Sequence, residues 1–332
     1  MRFGHIDTII LFGGGQRLVN FLSLAKNYKT IVLSAPRLLN ISLDQEAVTV
    51  EQYFMKHGIG YYCVEDLNNF DINPYINEHT LGISFGAPWI FKPEFINKFK
   101  GRLINAHGAR LPKNRGAATF SWQIMRRDHG GCHLFHIVDG GIDTGTIIFK
   151  NEFDFPETCR TPKDYKNFFM AGEMEFFKEF MRKLEREEDF EEIPQDEEKS
   201  TYFPRLSTAH HGWIDWSWRT KDIVQFISAF DNPHEGASTF LNGKRVFIKD
   251  AAVDMSEGGF HPFMAGLIIR TVPGSILVAV KDGGIMLRSL RDEHGTDIMN
   301  AIRPGHRLAT PISHLDAARA FTAVYTPQGL KE

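Results

Sequence analysis

A chain of 332 residues exceeds the roughly 100–200 residues of one ordinary domain, so two domains are expected, one large and one smaller. A hydrophobic fraction of 42% and a charged fraction of 24% belong to a compact globule and exclude a disordered, collagen-like or coiled-coil chain. With 38 Lys plus Arg against 41 Asp plus Glu, the net charge of −3 offers no general positive field to a polyphosphate backbone, which argues against bulk nucleic-acid binding.

The three cysteines, Cys63, Cys132 and Cys159, are too few and too scattered for a disulfide framework or a thiolate zinc cluster, which suits a reducing cytoplasm. No run approaches the ~18–20 continuous apolar residues of a membrane span, and Met-Arg-Phe-Gly-His does not open a signal peptide. The expectation is a soluble, unexported protein with no membrane partner.

From the amino terminus, the apolar runs 7–12, 30–35, 61–64, 81–85 and 103–106 read as strands, continuous enough for a buried parallel sheet. Between them, 16–28, 48–57 and 93–99 carry helical spacing. The pattern predicts an α/β fold: a Rossmann-like open, mostly parallel sheet with helices on both faces. After Thr161-Pro162-Lys163-Asp164, the aromatic stripe of Tyr165, Phe168, Phe169, Phe176, Phe177 and Phe180 marks a long core-facing helix. Residues 185–198 then hold nine carboxylates and one Arg186, with Pro194 barring a continuous helix, and read as a solvated acidic linker. Beyond residue 200, a helix over 220–230 precedes short runs divided by Asn242-Gly243, Pro273-Gly274 and Asp282-Gly283-Gly284, which are hairpin signals. They predict a smaller β-rich, OB-like carboxyl-terminal domain, giving an organisation of 1–190, a linker 191–204, and 205–332.

The strongest chemical signal is the segment 103–116, LINAHGARLPKNRG, a strand running into a glycine- and proline-containing loop. Asn105 and His107 are two apart and so share one strand face, which at the carboxyl end of an open α/β sheet overlooks the usual ligand crevice. An amide able to hold an oxyanion beside an imidazole able to move a proton suits acyl transfer. Asp143, in the glycine-rich run 138–145, can return to orient that imidazole. The residue types alone leave two readings open, a catalytic trio or polar groups that hydrogen-bond locally. His133 and His136 are three apart on a strand, on opposite faces, and read as structural; His210-His211 lacks a completing ligand cluster. No metal is expected.

The ordered set Asn105-x-His107, Leu111-Pro112, Arg115-Gly116 and Asp143-Thr144-Gly145 closely resembles the 10-formyltetrahydrofolate-dependent formyltransferases. The strings 201–206, 212–216 and 240–244 resemble the carboxyl-terminal domain of methionyl-tRNA formyltransferases and some sugar formyltransferases. The resemblance implies that Asn105, His107 and Asp143 are the catalytic trio. It implies 10-formyltetrahydrofolate as co-substrate, with its pterin between the loop bearing Phe85, Gly86, Ala87, Trp89 and Ile90 and the loop bearing Val138, Asp139, Gly140 and Gly141. Trp89 then reads either as an aromatic wall or as core.

The oxyanion is expected on Asn105 and a protonated His107. Gly13 and Gly14, after the first strand, read either as backbone contacts to a nucleotide diphosphate or as a simple tight turn, and with Arg115 and Gly116 they are the expected substrate contacts. Methionyl-tRNA formyltransferases usually turn through Gly-Thr-Pro where this chain has Phe12-Gly13-Gly14-Gly15-Gln16-Arg17, and residues 201–332 carry a net charge of only +1, from 14 Lys plus Arg and 13 Asp plus Glu. The favoured acceptor is therefore a nucleotide-linked amino sugar. Methionyl-tRNA or hydroxyornithine are alternatives, as, less favoured, is a non-catalytic folate- or nucleotide-binding relative; a homodimer is allowed.

Overall fold

In the computed structural model, which describes residues 1–43 and 47–331, the apolar runs of the first half form one seven-stranded sheet. Strands β1 (Thr8–Gly13), β2 (Lys29–Ser34), β3 (Tyr61–Cys63), β4 (Thr80–Phe85) and β5 (Leu103–Ala109) run parallel in the order β3-β2-β1-β4-β5. After a two-residue β6 (Arg115–Gly116) outside this sheet, β7 (Gly130–Ile137) and β8 (Ile147–Asp154) extend it antiparallel beyond β5. Every residue of β1 and β4 is buried, as a central strand covered on both faces requires.

Helices α1 (Gly15–Leu24), α2 (Pro36–Leu39), α3 (Val50–Lys56), α4 (Pro93–Asn97), α5 (Thr119–Arg126) and α6 (Pro162–Glu185) complete this half. Leu18 and Phe21 of α1 and Phe176, Phe177 and Phe180 of α6 pack with Ile9 and Leu11 on one face, and Phe95 and Phe99 cover Ile10 and Phe12 on the other. The helices do lie on both faces. Thr161 and Asp164 form a reciprocal capping box at the start of α6, with Pro162 in the first turn, so the segment that announces the helix also satisfies its free amides.

The acidic segment is less solvated than its composition suggests. Phe190 is buried in the first core, Ile193 bridges Ile147, and β9 (Tyr202–Phe203) pairs in parallel with β6. Three anchoring points therefore hold this segment along the first half of the chain.

Next come α7 (Thr208–His211), α8 (Thr220–Ala229), β10 (Ala237–Leu241), β11 (Lys244–Asp254), β12 (Ile268–Val272), β13 (Ser275–Val280), β14 (Gly283–Asp292), β15 (Leu308–Ala309) and α9 (Ile312–Ala320). The strands form an antiparallel sheet in the order β12-β13-β14-β11-β10-β15. Leu267 bridges Arg307 just ahead of β15, so the sheet curls until its edges meet, as in a small barrel. Asn242 and Gly243 both have positive φ (50° and 77°) between β10 and β11, the backbone a two-residue hairpin turn needs. One apolar cluster joins Ile124, Phe155, Tyr165 and Phe169 to Ile223, Ile227, Phe230 and Ile248, so the two halves share a core. Among the described residues no helix is long and apolar enough to cross a membrane.

Candidate active site

Pairing between β4 and β5 ends at Ser84 and Asn105, and β5 continues alone on that side. Asn105 and His107 therefore stand at the mouth of the crevice above the carboxyl ends of the parallel strands. On the other side the antiparallel register sets His136 directly opposite Asn105. Asp143 completes the group from a left-handed backbone position (φ 55°) just after Gly140-Gly141.

The Asp143 carboxylate is the hub. Its Oδ2 accepts the Gly116 amide at 2.9 Å and lies 3.7 Å from His107 Nδ1. Its Oδ1 is 3.4 Å from both Asn105 Nδ2 and His136 Nε2. Burial pulls its pKa up, but the His136 and His107 imidazoles beside it and the Gly116 amide outweigh burial and hold it at about 2. The carboxylate is ionised at every physiological pH.

His107 is buried, and burial pushes its pKa below the ordinary histidine value, helped by His136 and Arg17 and opposed by Asp143 and the Asn114 carbonyl. Its Nε2 lies 2.8 Å from the Asn114 carbonyl, which can only accept. Nε2 therefore carries the proton, and in the neutral ring Nδ1 is the basic nitrogen. The resting imidazole at neutral pH is thus uncharged. His107 becomes cationic only after it has taken a proton at Nδ1, facing Asp143.

The same logic fixes His136. Its Nδ1 donates to the Ile137 carbonyl at 2.8 Å, leaving Nε2 to accept from Asn105 Nδ2 at 3.1 Å. Asn105 thus directs its amide hydrogens at His136 and, more loosely, at Asp143. The 3.4 Å contact is the weaker one and the one it can give up to an incoming oxyanion.

Beneath β5 lies a buried ion pair: Arg17 Nε meets Glu173 Oε1 at 2.6 Å, and an Arg17 terminal nitrogen donates to the Ala106 carbonyl at 3.3 Å. Glu173 is fully buried in α6, and burial raises its pKa against the pull of Arg17. Arg17 thus ties the first turn of α1 to the backbone between Asn105 and His107.

The other expected site residues fall into different environments. The Phe85 ring is buried against Phe21, Phe135 and Phe177. Trp89 is core rather than wall, since its Nε1 donates to the Glu65 carbonyl and its ring packs with Phe12 and Phe95. Ile90 is 74% exposed beside Gly86 and Ala87, and so is the apolar side chain this loop offers. In the facing loop, the Val138 amide bonds Leu103, and Asp139 is turned inward to the Gly141 amide and the Thr144 hydroxyl, with Gly140 exposed between them.

The Gly14 amide donates to the Phe85 carbonyl, and a Cβ on Gly13 would collide with that same carbonyl, so this turn is shaped by its contact with β4. Arg115 is 6% exposed, its guanidinium clamped by Gln195 and Glu197, and a Cβ on Gly116 would run into the Phe203 carbonyl. The structure has Arg115 and Gly116 holding the 191–204 segment, through Gln195 and Glu197 and through pairing with β9. His133, three residues from His136, points the other way and bonds the Phe169 carbonyl.

His136, Arg17, Glu173 and Gln195 were not among the expected site residues. His136 was recoverable by pairing the two strands antiparallel. Gln195, which donates to the carbonyls of Asp143 and Gly145, carries no local signal, because only the return of the linker brings it there.

Two family models match the chain, formyl transferase over residues 86–179 and the formyl transferase carboxyl-terminal domain over residues 207–302. Similar curated proteins include the methionyl-tRNA formyltransferases of Acetivibrio thermocellus (27% identical over 188 residues, 57% of this chain and 58% of that protein) and Clostridium tetani (30% over 202 residues, 61% and 63%). The chain thus matches about three-fifths of the length of these relatives. The enzyme of Streptococcus pyogenes serotype M49 is 26% identical over 259 residues, 77% of this chain and 80% of that one.

Among solved structures, the sugar 3N-formyl transferase WlaRD superposes with a TM-score of 0.63 at 20% identity over 86% of this chain and 98% of its own. The Helicobacter canadensis N-formyltransferase gives 0.63 at 20% over 85% and 98%. With a match in each of its two halves, the chain belongs to the formyl transferase family.

Proposed function

We propose that this protein transfers the formyl group of 10-formyltetrahydrofolate to the primary amine of a nucleotide-linked amino sugar. The observation that carries it is the convergence of Asn105, His107 and Asp143 at the open end of β5, with the basic nitrogen of a neutral imidazole facing an ionised carboxylate.

The uncharged amine attacks the formyl carbon, forming the new C–N bond and a tetrahedral oxyanion. Asn105 turns an amide hydrogen from Asp143 to that oxygen. His107 Nδ1 takes the proton that the amine sheds, and Asp143 stabilises the resulting imidazolium across 3.7 Å. Collapse of the intermediate breaks the bond to N10, and His107 returns the proton there. The formyl group arrives activated, so no metal has a part. The exposed Ile90 loop and the Val138–Gly141 loop flank the crevice in which the pterin would lie.

The acceptor reading is supported by charge and by the neighbours. WlaRD was crystallised in the presence of dTDP and 5-N-formyl-THF, and the Helicobacter canadensis enzyme with folinic acid and dTDP-3-aminofucose. The net charge of −3 also disfavours a long RNA backbone. The curated relatives, being methionyl-tRNA formyltransferases, favour methionyl-tRNA as the second reading. Incubation with 10-formyltetrahydrofolate and, separately, amino-sugar nucleotides, hydroxyornithine and methionyl-tRNA, read by mass spectrometry for the gain of one CO, distinguishes them. Formylation of an amino-sugar nucleotide is expected; efficient formylation of methionyl-tRNA with no sugar accepted overturns the acceptor, and no formylation of any amine overturns the activity.

A further inference from the structure

Arg37, in α2, and Arg205, after the linker, approach the same aromatic ring. Their guanidinium carbons lie 5.8 and 5.1 Å from the centre of the Tyr325 ring. Among the described residues, neither guanidinium has a carboxylate within ion-pair distance, as Arg17, Arg110 and Arg115 do. Burial and the charge of Arg205 both pull the Arg37 pKa down, and Tyr325 alone pulls it up. Two like charges held together without a counter-ion disfavour each other and favour an anion between them.

What faces Arg37 instead is the carboxyl-terminal segment. Arg37 Nε donates to the Thr326 carbonyl at 2.9 Å, its backbone amide donates to the Pro327 carbonyl at 3.2 Å, and the Tyr325 ring lies against both guanidiniums. Carbonyl oxygens and a ring face are electron-rich but uncharged, and a doubly charged phosphate group is a stronger partner for guanidinium than either. The segment is a short strap, closed by a Tyr325–Leu330 bridge and seated without a buried large side chain of its own.

The location joins the pair to the candidate active site. α2 follows β2 at the same carboxyl edge of the sheet as Asn105, and Leu38 packs against Gly14 in the turn after β1. Along that edge β1 and β4 separate β2, which leads into α2, from β5, which bears Asn105 and His107.

We infer that Arg37 and Arg205 form a diphosphate-binding site for the acceptor, against which the strap around Tyr325 lies in the free protein. The role as an acceptor site rests on the formyl-transfer reading, whereas the anion site itself does not. A nucleoside diphosphate displaces the strap, takes both guanidiniums, and opens the crevice to the sugar beyond it. Without an anion the Tyr325 ring of the strap stays against the two guanidiniums.

Calorimetric titration of the full-length chain with inorganic pyrophosphate and with dTDP or UDP tests the site without any turnover. Arg37→Ala and Arg205→Ala are each expected to weaken binding about tenfold, with melting temperature little changed for the exposed Arg205. Tyr325→Ala, which loosens the strap, is expected to tighten binding severalfold. Unchanged affinity in both arginine variants overturns the site, and unchanged or weaker affinity in Tyr325→Ala overturns the strap. An RNA hairpin bound more tightly than the nucleoside diphosphate, with a salt slope of several phosphates, overturns the nucleotide source. Because the readout is binding, arginine-dependent pyrophosphate affinity in a chain that formylates nothing defeats only the activity, and formylation with arginine-independent affinity defeats only the site.

Discussion

His107 presents Nδ1 to Asp143 Oδ2 at 3.7 Å while its Nε2 is fixed on the Asn114 carbonyl at 2.8 Å. The backbone of the loop thus selects the tautomer, and the carboxylate waits for the cation that forms during turnover. The separation exceeds a hydrogen bond, so Asp143 acts on the imidazole mainly through its charge.

The first prediction concerns the trio. His107→Ala and Asp143→Asn are each expected to lower kcat by about 10²–10⁴-fold, and Asn105→Ala by about 10²–10³-fold with KM for the amine little changed. Steady-state kinetics on folded variants checks this; near-parental kcat in the His107 variant removes it from proton transfer.

The second concerns pH. Since His107 is depressed below the ordinary histidine value near 6.5 and works as the neutral base, kcat/KM should rise with pH through a value below 6.5 and then be flat towards neutrality. Asp143 raises the His107 pKa, so Asp143→Asn should move that acid limb lower still. An acid limb that stays in place or moves up in the variant contradicts the electrostatic role given to Asp143.

The third concerns acid stability. His133 is 3% exposed, and burial lowers its pKa to about 4 although its bond to Phe169 pulls the other way. A depressed histidine is proton-free in the fold while the unfolded chain binds a proton near 6.5. Its share of stability is therefore complete above 6.5 and is lost as pH falls from there to about 4, amounting to about 3 kcal/mol. Urea melts from pH 7 to pH 4 should show this loss, and His133→Gln should flatten it.

The fourth concerns the linker. Gly116 has φ 98° and faces the Phe203 carbonyl, so Gly116→Ala combines backbone strain with a collision. The variant should lose about 2–4 kcal/mol of stability and, by displacing the amide that Asp143 accepts, should also lose activity. Arg115→Ala should instead make residues 191–204 sensitive to limited proteolysis, because Gln195 and Glu197 lose the guanidinium that holds them. Protease resistance equal to the parent chain speaks against that clamp.

Much of this protein was determined by sequence alone. Continuous apolar runs required strands buried on both faces, Thr161 to Asp164 required a helix start, and Asn242-Gly243 required a hairpin, because each depends on neighbours within a few residues. The shared face of Asn105 and His107 followed from strand alternation in the same way. Tertiary structure decided the rest. Whether His133 or His136 reached the site depended on the register of β7 against β5, and one residue of slip would have exchanged them. Phe85 and Trp89 became core instead of pocket wall because helices cover the faces they point to. The acidic run, solvated by composition, was pinned by Phe190, Ile193 and Arg115, and through Gln195 it reached the backbone of Asp143. These contacts join residues dozens of positions apart, and no local pattern specifies them: their energy exists only once the chain has returned on itself.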